Sequence, residues 1–336
     1  MSRSKRKGRN ENRQPLTSPE SVAARTLLSP LIPSRRRAGD RAARAKQLTP
    51  WQREPSQVQP GSSVDLDDGE FLAGVIDFVG TNMLVQHHTL FPAMSAAENL
   101  TTVAHLIDQW DPTGKMRTTS IIALCRSALE SASRAVWVLC ESDRDERRNR
   151  ALRITRDEIQ RHKKYVTEQV KRLEGTEMGV GAERLPFDTA EYLSQVTAQK
   201  NGAESAMQVL VDAGVKGAPP MEQIIDASAE WIDTHNPMKS VQPMANLTRQ
   251  MYSFSSGITH GSTWPTQYLL GATDMHNVVA DLLHVSLATT EAAVILWETQ
   301  SSVDARVGRH CPQYLRQAAR RLHPRYAPLA EDGVSA

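Results

Sequence analysis

The chain has 336 residues, with 40 Lys and Arg against 38 Asp and Glu, 10 His, 3 Cys and a formal net charge of +2. So few cysteines exclude a small disulfide-held scaffold, and a hydrophobic content of 40% excludes a wholly disordered chain. Aromatic residues make up only 5%, so the core has to be built from Leu, Val, Ile, Ala and Met.

The small net charge conceals two unlike regions. Residues 1–60 carry 14 Lys and Arg against 4 acids, which leaves 26 bases and 34 acids for the rest, so about +10 in the first region faces −8 in the second. The first region also holds seven prolines and few large apolar side chains. Such a segment buries too little surface to offset the entropy of ordering itself, and the sequence therefore predicts a disordered Arg/Pro-rich arm over 1–64. Its runs Lys5-Arg6-Lys7 and Arg35-Arg36-Arg37 make nucleic acid or an acidic partner the expected target, through counterion release. The arm lacks the apolar stretch of a secretory signal, and a cytoplasmic location is expected.

From about residue 65 the hydrophobic pattern is helical. Neither Gly nor Pro occurs in 116–174 or in 272–307, and no sustained two-residue alternation appears. The expected fold class is all-α, a multi-helix bundle over 65–325 as a single domain, followed by a disordered tail over 326–336. In chain order, helices are predicted near 69–90 and 93–110, the second stopped by Asp111-Pro112-Thr113-Gly114. A third, over 117–141, is apolar around most of its circumference and so should be central. The fourth, over 143–173, has Leu152, Ile159, Val166 and Leu173 every seven residues in a field of charge. That single stripe predicts a long charged helical arm, packed along one edge or against a second copy of the chain. Further helices are predicted near 189–213, 221–234, 241–257, 274–301 and 312–322. The apolar window 278–297 contains Asp281, His284 and Glu291, which argues against a membrane span. Cys125 and Cys140, about 22 Å apart along one helix, are expected to be free core thiols, as is Cys311.

Two constellations stand out as candidate sites. Arg126, Glu130 and Arg134 recur every four residues on the central helix, the spacing at which a carboxylate pairs with a guanidinium on either side. The segment Tyr252-Ser253-Phe254-Ser255-Ser256-Gly257-Ile258-Thr259-His260-Gly261-Ser262 gathers hydroxyls around one imidazole where a helix meets a Gly-flanked turn. His260 could act there as a general base, with Ser255 as nucleophile or phosphate-binding hydroxyl. Alternatively, the segment is a helix cap in which Gly257 or Gly261 takes the left-handed conformation.

With these two motifs the chain resembles a bacterial family of all-helical proteins akin to abortive-infection and HEPN-type helical domains, over about 117–262. The resemblance implies a shared interior polar cluster of Arg126, Glu130, Tyr252, Ser255 and His260, and a role in defence or mobile elements. The leading expectation is a cytosolic interaction or binding protein built around that cluster. HEPN ribonucleases cleave RNA without metal by pairing an Arg with a downstream His, four to six residues lying between them, which implies, as an alternative, a ribonuclease toxin with His260 as base and Arg126 stabilising charge. Arg156 with His162 and Arg316 with His323 have that spacing, at the frequency chance allows. The remaining alternative is a purely structural oligomer joined through 143–173. No metal-ligand spacing, phosphate loop or nucleophile elbow is present, and no cofactor or metal is expected.

Overall fold

The computed structural model describes residues 33–69, 84–110, 117–177, 189–235, 237 and 243–327. Every regular element among them is helical, as the periodicity predicts. Residues 1–32, residues 70–83, which hold most of the first helix predicted near 69–90, residues 178–188 and the last nine residues lie outside the described part.

The N-terminal region departs most from expectation. Residues 33–64, predicted to be a disordered arm, carry α1 (Ser34–Lys46), α2 (Thr49–Arg53) and the start of α3 (Ser63–Gly69), all packed on the body. Ala38, Ala42, Ala45, Leu48 and Trp51 are fully or almost fully buried. A seam of alanines has little hydropathy of its own, but its small side chains let α1 lie close against the two helices beneath it. Three of its five arginines are consumed by the fold. The Arg37 guanidinium donates to Asp281 at 2.6 Å and to Asn277 at 2.8 Å, Arg41 to the Ala280 carbonyl at 2.6 Å, and Arg44 to Glu291 at 2.7 Å. Asp281, Glu291 and Glu298 therefore form an acidic stripe inside the protein, and the basic face of α1 covers its first two members. Burial pushes the Glu291 carboxyl up to about 7, against the pull of Arg44. Of the run Arg35-Arg36-Arg37, two residues remain exposed.

The next element, α4 (Leu84–Asp108), is one helix passing through Pro92, where two were predicted. The proline removes one backbone donor, yet Val85, His88 and Thr89 before it and Ala93, Ala96 and Leu100 after it are buried on the same body. Tertiary packing outweighs the local break. The central helix α5 (Thr118–Leu139) packs between α4 and α10 (Ala272–Gln300), and α10 is buried along most of its length. Although α10 is long and apolar enough to cross a membrane, 83% of its most apolar window lies inside the protein. Cys125, Cys140 and Cys311 are free and buried in this core.

The long helix α6 (Arg144–Glu177) begins in the body and then leaves it. Its heptad stripe is covered by α7 (Thr189–Asp212) of the same chain: Ile159 packs with Ala203, Ala206 and Leu210, while Val166 and Leu173 pack with Val196. The feature that suggested a second copy is satisfied within the chain by a helical hairpin. Beyond it come α8 (Met221–His235), α9 (Ala245–Thr259), a short 3-10 turn (Trp264–Tyr268), α10 and α11 (Gln313–Tyr326). The body extends past the predicted boundary at 325. Tyr326 is buried, donates to the Cys140 carbonyl at 2.9 Å and accepts the Trp231 indole N–H at 3.2 Å.

Candidate functional site

Of the five predicted site residues, the fold joins three. Arg126 on α5 donates through Nε to Glu130 at 2.8 Å, the expected i, i+4 pair. Its other arm crosses to α9: Nη1 donates to Thr259 Oγ1 at 2.7 Å, Nη2 to the Tyr252 hydroxyl at 3.5 Å, and the guanidinium carbon lies 5.0 Å from the Tyr252 ring centroid. Burial, followed by the Glu130 charge, pushes the Tyr252 hydroxyl above its usual range. Arg126 is thus a clamp between α5 and α9, with each nitrogen engaged. Thr259, which the sequence reading passed over, is a full member, because i+7 from Tyr252 returns to the same helix face.

The Ser255 hydroxyl and the His260 imidazole make no hydrogen bond to Arg126 or Glu130, although the Ser255 carbonyl accepts from Thr259 Oγ1 at 2.9 Å. Ser255 is fully buried and donates to the Tyr252 carbonyl at 2.9 Å, so its proton is held by the helix backbone and no base touches it. The His260 side chain is exposed and makes no hydrogen bond with the described residues; its backbone N–H donates to the Ser256 carbonyl at 3.1 Å. Of the predicted cluster, the side-chain bonds of Arg126 therefore join Glu130 and Tyr252 and add Thr259, a four-residue clamp that includes neither the Ser255 hydroxyl nor the His260 imidazole. The Gly-flanked turn is a helix cap. Gly261 has φ +70°, its N–H donates to the Ile258 carbonyl at 3.1 Å, and the Ser262 N–H donates to the Gly257 carbonyl at 2.9 Å. Those are the two bonds of a Schellman motif, which needs a left-handed residue just past the last turn.

Capped this way, the chain doubles back and lays the 3-10 turn on the end of α9. Gly257 permits it: a Cβ there would come 2.8 Å from both the Trp264 ring and the Pro265 ring. Phe254, Trp264 and Tyr268 form an edge-to-face series with centroids 5.8 Å and 6.1 Å apart. Trp264, Tyr268 and Leu270 are 41%, 50% and 72% exposed. No Asp, Glu, Lys or Arg occurs between Arg249 and Asp274, in a chain that is 23% charged. Depletion of charge together with exposed aromatic side chains is the signature of an interface core.

A second feature involves Arg134, predicted to complete a triad with Glu130. Glu130 bonds Arg126 alone, and Arg134 instead lines a cavity of about 250 Å³ between α5, α6 and the start of α8. Asp157, Glu158 and Arg161 of α6 also face this space, over an apolar wall of Ile154, Pro219 and Met221. Behind Glu158 lies His88, which is buried. Thr155 donates its own proton to the Ala151 carbonyl at 3.0 Å, so the 2.7 Å contact to His88 is a donation from His88 Nε2. The Nδ1 lone pair then faces Glu158 at 3.6 Å. Burial, then the charges of His87 and Arg134, pushes His88 down to about 3, while burial pushes Glu158 up.

A histidine kept neutral inside the fold makes stability sensitive to acid. The unfolded chain takes up the proton near pH 6.5 and the folded chain only near 3, so the contribution of His88 is complete above 6.5 and is lost as the pH falls. Urea denaturation of wild type and His88→Asn should show wild type losing about 2 kcal/mol relative to the variant between pH 7 and pH 5, at 1.36 kcal/mol per unit. A difference that does not change with pH would contradict this.

No group of three or more metal-ligating side chains occurs among the described residues. No known protein family matches the chain, and no curated protein or solved structure is similar to it.

Proposed function

We propose that this protein is a cytosolic interaction module, an all-helical scaffold that presents the aromatic face after α9 to a protein partner. The observation that carries this reading is the exposed Trp264-Tyr268-Leu270 surface in a stretch of 24 residues without a charge. Trp and Tyr are the side chains that most often dominate binding energy, because they bury a large rigid area at little entropic cost. The clamp acts here as a positioning device: Arg126 ties the tip of α9 to the central helix, and the Schellman cap and Gly257 then set the angle of the rings. The link to defence or mobile elements rests on the two motifs of the family resemblance. Association of the full chain with partners from its source cells tests the proposal. Trp264→Ser with Tyr268→Ser should abolish a stoichiometric partner that wild type and Arg36→Ala, altered at an exposed position of α1, both retain, with helicity unchanged. Identical partner sets for the double variant and wild type would overturn it.

A further inference from the structure

The cavity between α5, α6 and α8 has a charge arrangement that the fold itself does not use. Along α6, Arg147 bonds Asp67, Arg150 bonds Glu146 and the Trp137 carbonyl, Arg153 the Gly217 carbonyl and Arg156 the Val215 carbonyl. Arg161, on the same helix, and Arg134, facing it from α5, make no hydrogen bond or ion pair among the described residues, and both line the cavity. Asp157 and Glu158 likewise accept no hydrogen bond from the described residues; Arg161 is exposed and the other three are partly exposed, so solvent occupies the space between them. Glu158 lies 3.6 Å from His88 Nδ1. Two guanidiniums and two carboxylates therefore converge on one small space, unpaired with each other at 4 Å or less. Arg134 and Arg161 are nevertheless close enough to Glu158 for their charges to act on it.

The surroundings narrow what could satisfy them. Pro219 and Pro220 form part of the rim and offer no backbone donor, and the nearby Gly217 and Val215 carbonyls already accept arginines. The remaining wall, Ile154, Met221 and Ile224, is apolar. At about 250 Å³ the space lies below the ~300–1,000 Å³ typical of drug-sized ligands. A simple anion would satisfy the guanidiniums and leave the carboxylates repelling it, and a simple cation would do the reverse. A zwitterion satisfies both, since a carboxylate bridges guanidiniums well and an ammonium supplies the three donors that Asp157 and Glu158 lack.

We infer that the cavity is a binding site for a free amino acid with an apolar side chain, its carboxylate held by Arg134 and Arg161, its ammonium by Glu158 and Asp157, and its side chain against Ile154, Met221 and Ile224. The site is separate from the aromatic face, so the two readings fail independently.

Calorimetric titration and thermal melting of the full chain with L-leucine, L-methionine, acetate, ammonium and inorganic phosphate decide the matter. Leucine or methionine should bind and raise the melting temperature, while acetate, ammonium and phosphate at the same concentration should not. Arg134→Ala and Glu158→Gln should each weaken binding at least tenfold, Arg134→Lys should restore part of it, and Arg36→Ala, exposed on α1, should leave it unchanged. Helicity checks that each variant is folded. No binding of either amino acid, an equal response to phosphate alone, or undiminished affinity in folded Arg134→Ala and Glu158→Gln would each overturn the inference.

Discussion

Replacing Asp67 by alanine is expected to destabilise the protein by about 3–5 kcal/mol, because it strands a charge in the interior. Asp67 and Arg147 are both fully buried, and Arg147 Nε donates to Asp67 Oδ2 at 2.6 Å. Arg144, partly exposed, binds the other carboxylate oxygen at 2.9 Å. The rest of the Arg147 guanidinium is satisfied by the Glu141 carbonyl at 2.8 Å, the Ser142 carbonyl at 3.3 Å and Ser63 Oγ at 3.4 Å. This network pins α3 to the beginning of α6, where the chain turns out of the body into the hairpin. Without Asp67 the guanidinium keeps its bonds to Glu141, Ser142 and Ser63 but loses both the Nε bond and its counter-charge. The double variant Asp67→Ala with Arg147→Met should recover a large part of the loss, since an apolar pair carries no desolvation penalty. Urea denaturation followed by circular dichroism measures both. A loss below about 1 kcal/mol for Asp67→Ala would mean that water reaches Arg147.

Trp51→Ala is expected to cost a comparable amount, about 3–5 kcal/mol. The indole is fully buried, and its Nε1 donates to Glu298 Oε1 at 2.8 Å. Glu298 is itself buried and forms no ion pair among the described residues; Ser56 Oγ at 2.7 Å and the Gly308 N–H at 2.7 Å are its other donors. Truncation therefore opens a cavity and removes one of the bonds that hold a buried carboxylate. Arg36→Ala, exposed on α1, should stay within about 0.5 kcal/mol of wild type and serves as the control. A negligible loss for Trp51→Ala would place 33–64 outside the cooperative fold.

Most of the body was legible because its signals are local. Helical periodicity, the stretches without Gly or Pro and the circumference of apolar residues on α5 each depend on neighbours within two turns. The Arg126–Glu130 pair was legible for the same reason, being an i, i+4 contact on one helix. Thr259 and the reorientation of Arg134 toward a cavity were not, because both depend on where α6, α8 and α9 come to lie against α5. His260 illustrates the converse: its sequence neighbours suggested a site, while the Schellman cap turns its side chain to solvent.

The net charge of +2 is a property of the sequence, as is its division into a basic N-terminal region and an acidic remainder. The all-helical class also follows from the sequence by itself, since a helix closes its own hydrogen bonds and announces itself by its period. What only the tertiary structure decided is the fate of those opposite charges. Arg37, Arg41 and Arg44 find the acids of α10 about 240 residues further along the chain, and part of a segment that reads as a solvated arm becomes a helix of the core. The heptad stripe of α6 is covered by α7 of the same chain for a related reason. Pairing of charge and burial of a stripe are interactions between elements, and their energy depends on a proximity that no local window contains.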